Sequence, residues 1–346
     1  MRNRYLDLLR AAATVRVVVY HSTGWAALTV VFPAMSVMFA LAGSMMASSL
    51  DRSGPFAVER RLHRLLPSLW VLVAVAVPIM LFVDGLAWDW TVLLWAFPVQ
   101  DPPATGFWLE GLAAMWYLRD FLWFVLLSPL LLPVFRRFPV ATIVTPYAAL
   151  AVLTLTGATA PPVLRDLALY GGAWLLGFAH HDGLLRRRRW WLIGTLAVAG
   201  AAWALTHPGP RGLDLNDIPL GNALWSAAFI MTALSWSPAV RPRRVLTVLN
   251  ARALTIYLWH VPLIIAVVRA GQSVGLPITG WVGIGWRLVV VSLLLALVVV
   301  RVGWVAAGAA GRRPALVPGG GRPAVPVSPA PAGAAQRDRT TSGWAT

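Results

Sequence analysis

The 346-residue chain contains no cysteine, no lysine and few acidic residues. Without cysteine it can form neither disulfides nor thiolate metal sites, and the absence says nothing about compartment. Without lysine, all 29 basic residues are arginine, set against 13 Asp and Glu. GC-rich coding would account for that as readily as chemistry. Charged residues make up only 12%, about half the share usual in water-soluble domains. Hydrophobic residues reach 58% and the mean hydropathy is +0.70. A globular core cannot bury that much apolar surface, so lipid must be the solvent for much of it. The expected fold class is all-α, a polytopic membrane bundle of about ten transmembrane helices.

A net charge of +16 would suggest nucleic acid as a partner for a soluble protein. Here the arginines fall in short clusters between apolar runs, the pattern of topology signals, so membrane lipid is the expected partner and nucleic acid is not. No A-x-A-like cleavage site follows the first apolar run, so a cleaved signal peptide is not expected. No internal repeat argues for a duplicated transporter fold.

Apolar runs predict spans over about 11–31, 33–50, 67–83, 113–135, 139–157, 167–180, 190–206, 220–237, 252–270 and 281–300. Each is near the roughly 17–25 residues that cross the hydrocarbon. Segment 84–112, with Trp88, Trp90, Trp95 and Trp108, is too polar for a span and fits the interface. Every second loop is basic, from Arg2, Arg4 and Arg10 through Arg52 to Arg64, Arg136 and Arg137, and Arg186 to Arg189, to Arg241 to Arg252. That alternation puts both termini on the cytoplasmic side of a multi-pass cell-membrane protein. Acidic residues such as Asp84, Asp101, Glu110, Asp214 and Asp217 fall on the other side. Residues 1–310 read as one transmembrane domain. The Pro-, Gly- and Ala-rich stretch 311–346 reads as a disordered cytoplasmic tail.

Candidate chemistry begins in the first span. Arg10 and His21 are eleven positions apart, about 1100° of helix rotation, within ~20° of alignment and separated by a rise of about 16 Å. Asp7 and Thr14 fall on the same face. Such a stripe is costly in lipid and should line a polar cavity or pack on another polar helix. His21 has the ordinary pKa of a general base for a hydroxyl proton. It reads equally as a buried histidine bonded to a neighbouring helix. Arg16 lies about 140° round the helix from His21, and the sequence assigns it no role beyond an expected pairing with another helix.

In VERRLHRLLPSLW, Arg60, Arg61 and Arg64 precede Pro67, which fits the first turn of the third span. Arg61 and Arg64, at i and i+3, can grip one anion, and the diphosphate of coenzyme A would suit them. An ordinary positive-inside cluster would look the same. In TIYLWH, Tyr257 and His260 are also at i and i+3 and could bond a ligand from one face. Trp259 and Pro262 equally mark a place where helices bend or end. Zinc-site spacing is absent, and His180 and His181 read as loop residues. The aromatic belt accounts for most of the 19 tryptophans.

Taken together, LDLLRAAATVRVVVYH, SVMFALAGSMMAS, VERRLHRLLPSLW, MWYLRDFLWFVLLSPLLLP and NARALTIYLWHVPL resemble the acyltransferase 3 family of membrane O-acyltransferases, over residues 4–300 or so. Arg10 to His21 matches the family's R-x10-H motif, and Arg61-Leu62-His63-Arg64 its R-x-x-R motif. The resemblance implies an enzyme moving an acyl group, most often acetyl, from cytoplasmic acyl-CoA to a hydroxyl on a sugar, glycolipid or glycosylated small molecule. It implies that His21 is catalytic with Arg10 and that Arg61 and Arg64 handle the acyl-CoA; Asp7 is expected to orient Arg10, and Arg60 to join the donor-binding pair. Trp116, Tyr257 and His260 are the acceptor-side candidates. Neither a metal nor a permanently bound cofactor is expected. Two departures stand out. Leu41-Ala42-Gly43 lacks the serine of the family's small-residue turn, and Arg119 and Asp120 stand where many members carry a glutamate. The competing reading is a transporter or flippase of a lipid-linked glycan.

Overall fold

The computed structural model describes residues 3–187, 189–241, 243–309 and 311. Regular structure among them is helical, apart from a lone bridge between Gly209 and Gly212. Helix α1 (Arg4–Thr23) starts where the Asn3 side chain accepts the otherwise unpaired amides of Tyr5 and Leu6. It stops at Gly24, whose φ of 70° puts the chain in the left-handed region that glycine enters without strain. A single helical turn, α2 (Ala27–Val31), and Pro33 lead into α3 (Ala34–Ser53). The chain continues through α4 (Phe56–Phe82), a short α5 (Phe107–Gly111), α6 (Trp116–Arg137), α7 (Pro139–Thr156) and α8 (Pro162–His181). It ends with α9 (Trp190–Thr206), α10 (Pro219–Leu234), α11 (Arg244–Ser273) and α12 (Gly280–Ala309). Proline opens α7, α8 and α10, where its missing N–H costs nothing.

Each of the ten expected spans overlaps one of the ten long helices. Six stretches are long and apolar enough to cross a membrane: Ala27–Ser53, α4, Phe107–Arg137, α7, α11 and α12. The helices α1 and α8 are long but interrupted by charged and polar residues, and α9 and α10 are shorter. The chain is a multi-pass membrane protein. Segment 84–112 holds one 3-10 turn (Trp90–Trp95) and α5, and its last residues from Phe107 join the candidate span Phe107–Arg137. The expected tail lies outside the described residues from 312 onward.

Three expectations need correction. The first span does not run over 11–31, because Gly24 breaks it, so His21 sits in the last turn of α1. The third span starts eleven residues early: Arg60, Arg61 and Arg64 ride on α4 itself, with Pro67 inside the helix. His180 and His181 are the last turn of α8, not a loop.

Those histidines help to gather helix ends. Arg136, at the end of α6, donates to Asp51 at the end of α3 (2.8 and 2.9 Å) and to Asp182 just beyond α8 (both 2.9 Å). His181 Nε2 lies 2.8 Å from Asp51, and His180 Nδ1 lies 2.8 Å from Ser44 Oγ. This clasp marks the arginine-rich end of the bundle.

Helix α8 is the centre, buried on every side from Ala168 to Ala179, as an all-round apolar helix must be. It crosses α3 with backbones in contact. A Cβ on Gly177 would fall 2.7 Å from Ser44 N and nearer still to the Ala40 carbonyl. Gly43 meets the Trp174 carbonyl from the other side. Small residues are what allow membrane helices to approach this closely. Around this pair, α1 packs on α3 and α11, and α11 on α12.

Candidate active site

A cavity of about 660 Å³ opens at the end of the bundle opposite the arginine-rich loops. Its walls come from the C-terminal half of α1, the unwound stretch Ala113–Met115 before α6, the outer turns of α6 and α8, Tyr257 of α11, and loop residues Asp101, Arg211 and Asn216. α1 ends at Gly24, and Arg16, Tyr20 and His21 of its second half line the cavity.

His21 has accessible surface, and that surface faces the cavity. Its ring stands edge-on to Tyr20 (centroids 5.3 Å apart) and to His260 (5.1 Å). His260 is wholly buried, and its Nδ1 lies 2.6 Å from the Tyr257 carbonyl. A carbonyl only accepts, so Nδ1 carries a proton, and among the described residues Nε2 has no hydrogen-bond partner. Of the acceptor-side candidates, Trp116 and Tyr257 line the cavity while His260 stands behind His21. Trp116 stacks on Tyr170 at 5.2 Å and 18°. The Tyr257 hydroxyl donates to the Ala114 carbonyl.

Charged residues frame these rings. Tyr20 Oη donates to the buried Asp214 (2.6 Å) and accepts from Arg211 (2.7 Å). Arg211 also bonds Asp217 at 2.7 and 2.9 Å, and those bonds hold the Asp217 carboxyl below its ordinary pKa. Arg119, only 1% exposed, is shared by Asp101, Asp120 (2.9 Å) and Asp166. Arg16 donates its Nε to the Leu28 carbonyl (3.0 Å) and lies 4.8 Å over the Tyr20 ring.

Arg10 is elsewhere. It stays on the inward face of α1 but lies outside the cavity, with Nη2 2.6 Å from Met45 Sδ of α3. The half-buried Arg61 lies within electrostatic reach of Arg10, Arg64 and Arg52. Arg60 donates to Ser53 and Arg64 is exposed. Asp7 sits a turn below Arg10, 3.9 Å from Arg4, and its carbonyl accepts from Asn250 (2.7 Å). So α1 carries a basic end and a cavity end about 16 Å apart. Between them lie Tyr117, within reach of Arg10 and Arg61, and Tyr257, whose ring meets that of Tyr117 at 5.1 Å.

A family model described as an acyltransferase domain matches residues 3–301. The chain belongs to the acyltransferase 3 family. No curated protein and no solved structure matches it. The acyltransferase thus transfers an acyl group, and its R-x10-H motif spans the two ends of α1 rather than forming one contact.

Tyr20, Tyr170, Asp166 and Arg211 line the cavity with no sequence signal to mark them, and Arg16 stands out in the sequence only as a charge within an apolar helix. A hint was available in Arg119 and Asp120, whose departure from the family pattern coincides with the buried ion network. Among the described residues, one carboxylate and imidazole group has metal-like spacing, Asp51, His181 and Asp182, and the Arg136 guanidinium already bonds both of its carboxylates.

Proposed function

We propose that the acyltransferase takes its acyl group from acyl-CoA, acetyl-CoA foremost, at the arginine-rich end and delivers it to a hydroxyl held in the cavity beside His21. One observation carries the reading: the histidine of the family motif lies on the wall of a 660 Å³ cavity, while Arg10, Arg61 and Arg64 gather at the other end of the same helix bundle. Guanidinium groups suit the diphosphate and 3′-phosphate of CoA, with bidentate bonds available to each. A sugar, a glycolipid or a glycosylated small molecule would supply the hydroxyl, and 660 Å³ is ample for a monosaccharide unit. The positive-inside pattern supports a cytoplasmic arginine end and cytoplasmic termini.

His21 would take the hydroxyl proton as the oxygen attacks the thioester carbonyl. The new C–O bond replaces the C–S bond, and the CoA thiolate leaves and is protonated. Arg10 sits at the donor end, so its part is to hold the donor rather than to touch His21. Asp7, paired with Arg4 a turn below, belongs to the same end.

The test is transfer of labelled acetyl-CoA in membranes of expressing cells. His21→Ala should abolish transfer at normal protein levels, and Arg61→Ala should raise the KM for CoA donor more than for acceptor. Label transfer unchanged in His21→Ala removes the mechanism. An acceptor that crosses the membrane without gaining acyl mass removes the reading altogether.

A further inference from the structure

Arg16 is a buried cation without a counter-ion. It is 9% exposed, on the wall of the cavity one and a half turns before His21. Its Nε bonds a backbone carbonyl, which satisfies one donor and neutralises no charge. Among the described residues no carboxylate lies within ion-pair distance of it. Asp214 is the nearest acid to act on it, but the Asp214 oxygens are already engaged by Tyr20 and the Asn216 amide, with Arg211 at 3.3 Å.

The neighbouring arginines make the contrast. Arg119 has three carboxylates and Arg211 has two. A guanidinium taken out of water is stable only when paired and hydrogen-bonded, and breaking such a pair is strongly unfavourable. Arg16 has the burial without the pair, and its remaining donors border open space. Arg165, exposed at the cavity mouth, adds a second positive charge, and Tyr170 lies within electrostatic reach of both. The path inward is therefore attractive to anions.

We infer that the cavity receives an acceptor bearing a carboxylate or phosphate, which pairs with Arg16 while the hydroxyl to be acylated faces His21. This rests on the proposed transfer and narrows it to anionic acceptors, such as a uronic acid unit or a sugar phosphate. The geometry suits it: Arg16 and His21 line the same cavity, about one and a half turns apart on α1. One guanidinium holding the anion would fix which hydroxyl reaches the imidazole.

The experiment reads binding, so it stands or falls apart from any acyl transfer. Purified full-length protein is titrated with glucuronate, with glucose 1-phosphate and with uncharged glucose at matched ionic strength, following the ligand-induced rise in unfolding temperature. Either anion should bind at least about tenfold tighter than glucose, the scale of one charge-assisted bond. The preference should vanish in Arg16→Met and survive in part in Arg16→Lys, which also serves if the methionine variant does not fold. Preference for glucuronate assigns a carboxylate, and preference for glucose 1-phosphate assigns a phosphate. Equal binding of glucose, no binding of either anion, or a preference that persists in Arg16→Met overturns the inference. Should it fail while His21-dependent label transfer holds, the enzyme stands and only its acceptor class is wrong.

Discussion

His260 stands edge-on to His21, ring centroids 5.1 Å apart and planes crossing at 60°. The inner ring is locked by its Nδ1–H bond to the Tyr257 carbonyl, and its Nε2 is buried beside the outer ring. One imidazole is thus fixed by the backbone of α11, and the other is free at the cavity wall.

His260→Ala should therefore slow transfer by about tenfold to a hundredfold, the lower range for a positioned proton-handling group. Labelled acetyl-CoA transfer and a melting curve check this together. Full activity with a lowered melting temperature would reduce His260 to a packing residue.

Arg119→Gln would strand two carboxylates in the protein, Asp120 at 0% exposure and Asp166 at 22%. Removing one member of a buried ion cluster costs about 3–5 kcal/mol. Asp120→Asn in the same chain should recover part of it, because one uncompensated charge is gone. The check is thermal unfolding of both variants in detergent, and equal melting points for single and double variants would contradict it.

The predicted glycine contrast needs no ligand. Gly177→Ala drives a methyl into the backbone of α3 and should destabilise by about 1–3 kcal/mol or prevent folding. Gly194→Ala, on α9 with open space around it, should be neutral or gain up to about 1 kcal/mol of helix propensity. Yields and unfolding midpoints of the two variants should separate clearly.

A pH effect follows from the Arg211 clasp. Its bonds lower the Asp217 pKa, so their contribution is present above the ordinary carboxylate range and lost as pH falls through the lowered value. Arg211 is half exposed, so screening limits the contribution to about 1 kcal/mol or less. Wild type should melt slightly above Asp217→Asn at neutral pH, and the gap should close below about pH 4. A gap independent of pH would assign the effect to packing.

Hydropathy made the bundle legible, because lipid imposes length and composition on each span. The arginine clusters likewise foretold which helix ends lie together, and Arg136 with Asp51 and Asp182 joins three of them. The break after Thr23 was harder to see. Apolar residues resume through Val31, and only Gly24 marks the end of α1. Pro67 misled in the opposite sense, since a helix with neighbours to pack on tolerates an interior proline, and α4 extends back to Phe56. Within the site, helical periodicity placed Arg10 and His21 on one face and could not reveal that Tyr117 and Tyr257 stand between them. The roles of Arg16 and Arg211 depend on loops folding back from far along the chain, which no local pattern records.

The absence of side chains at Gly43 and Gly177 bears on how such an enzyme can move. Two backbones in direct contact neither slide nor roll without separating, so α3 and α8 behave as one strut. On the opposite flank, between α1, α6 and α11, rings meet rings and can swing about their own bonds. Side-chain rearrangement is therefore easier between those rings than across the α3–α8 contact.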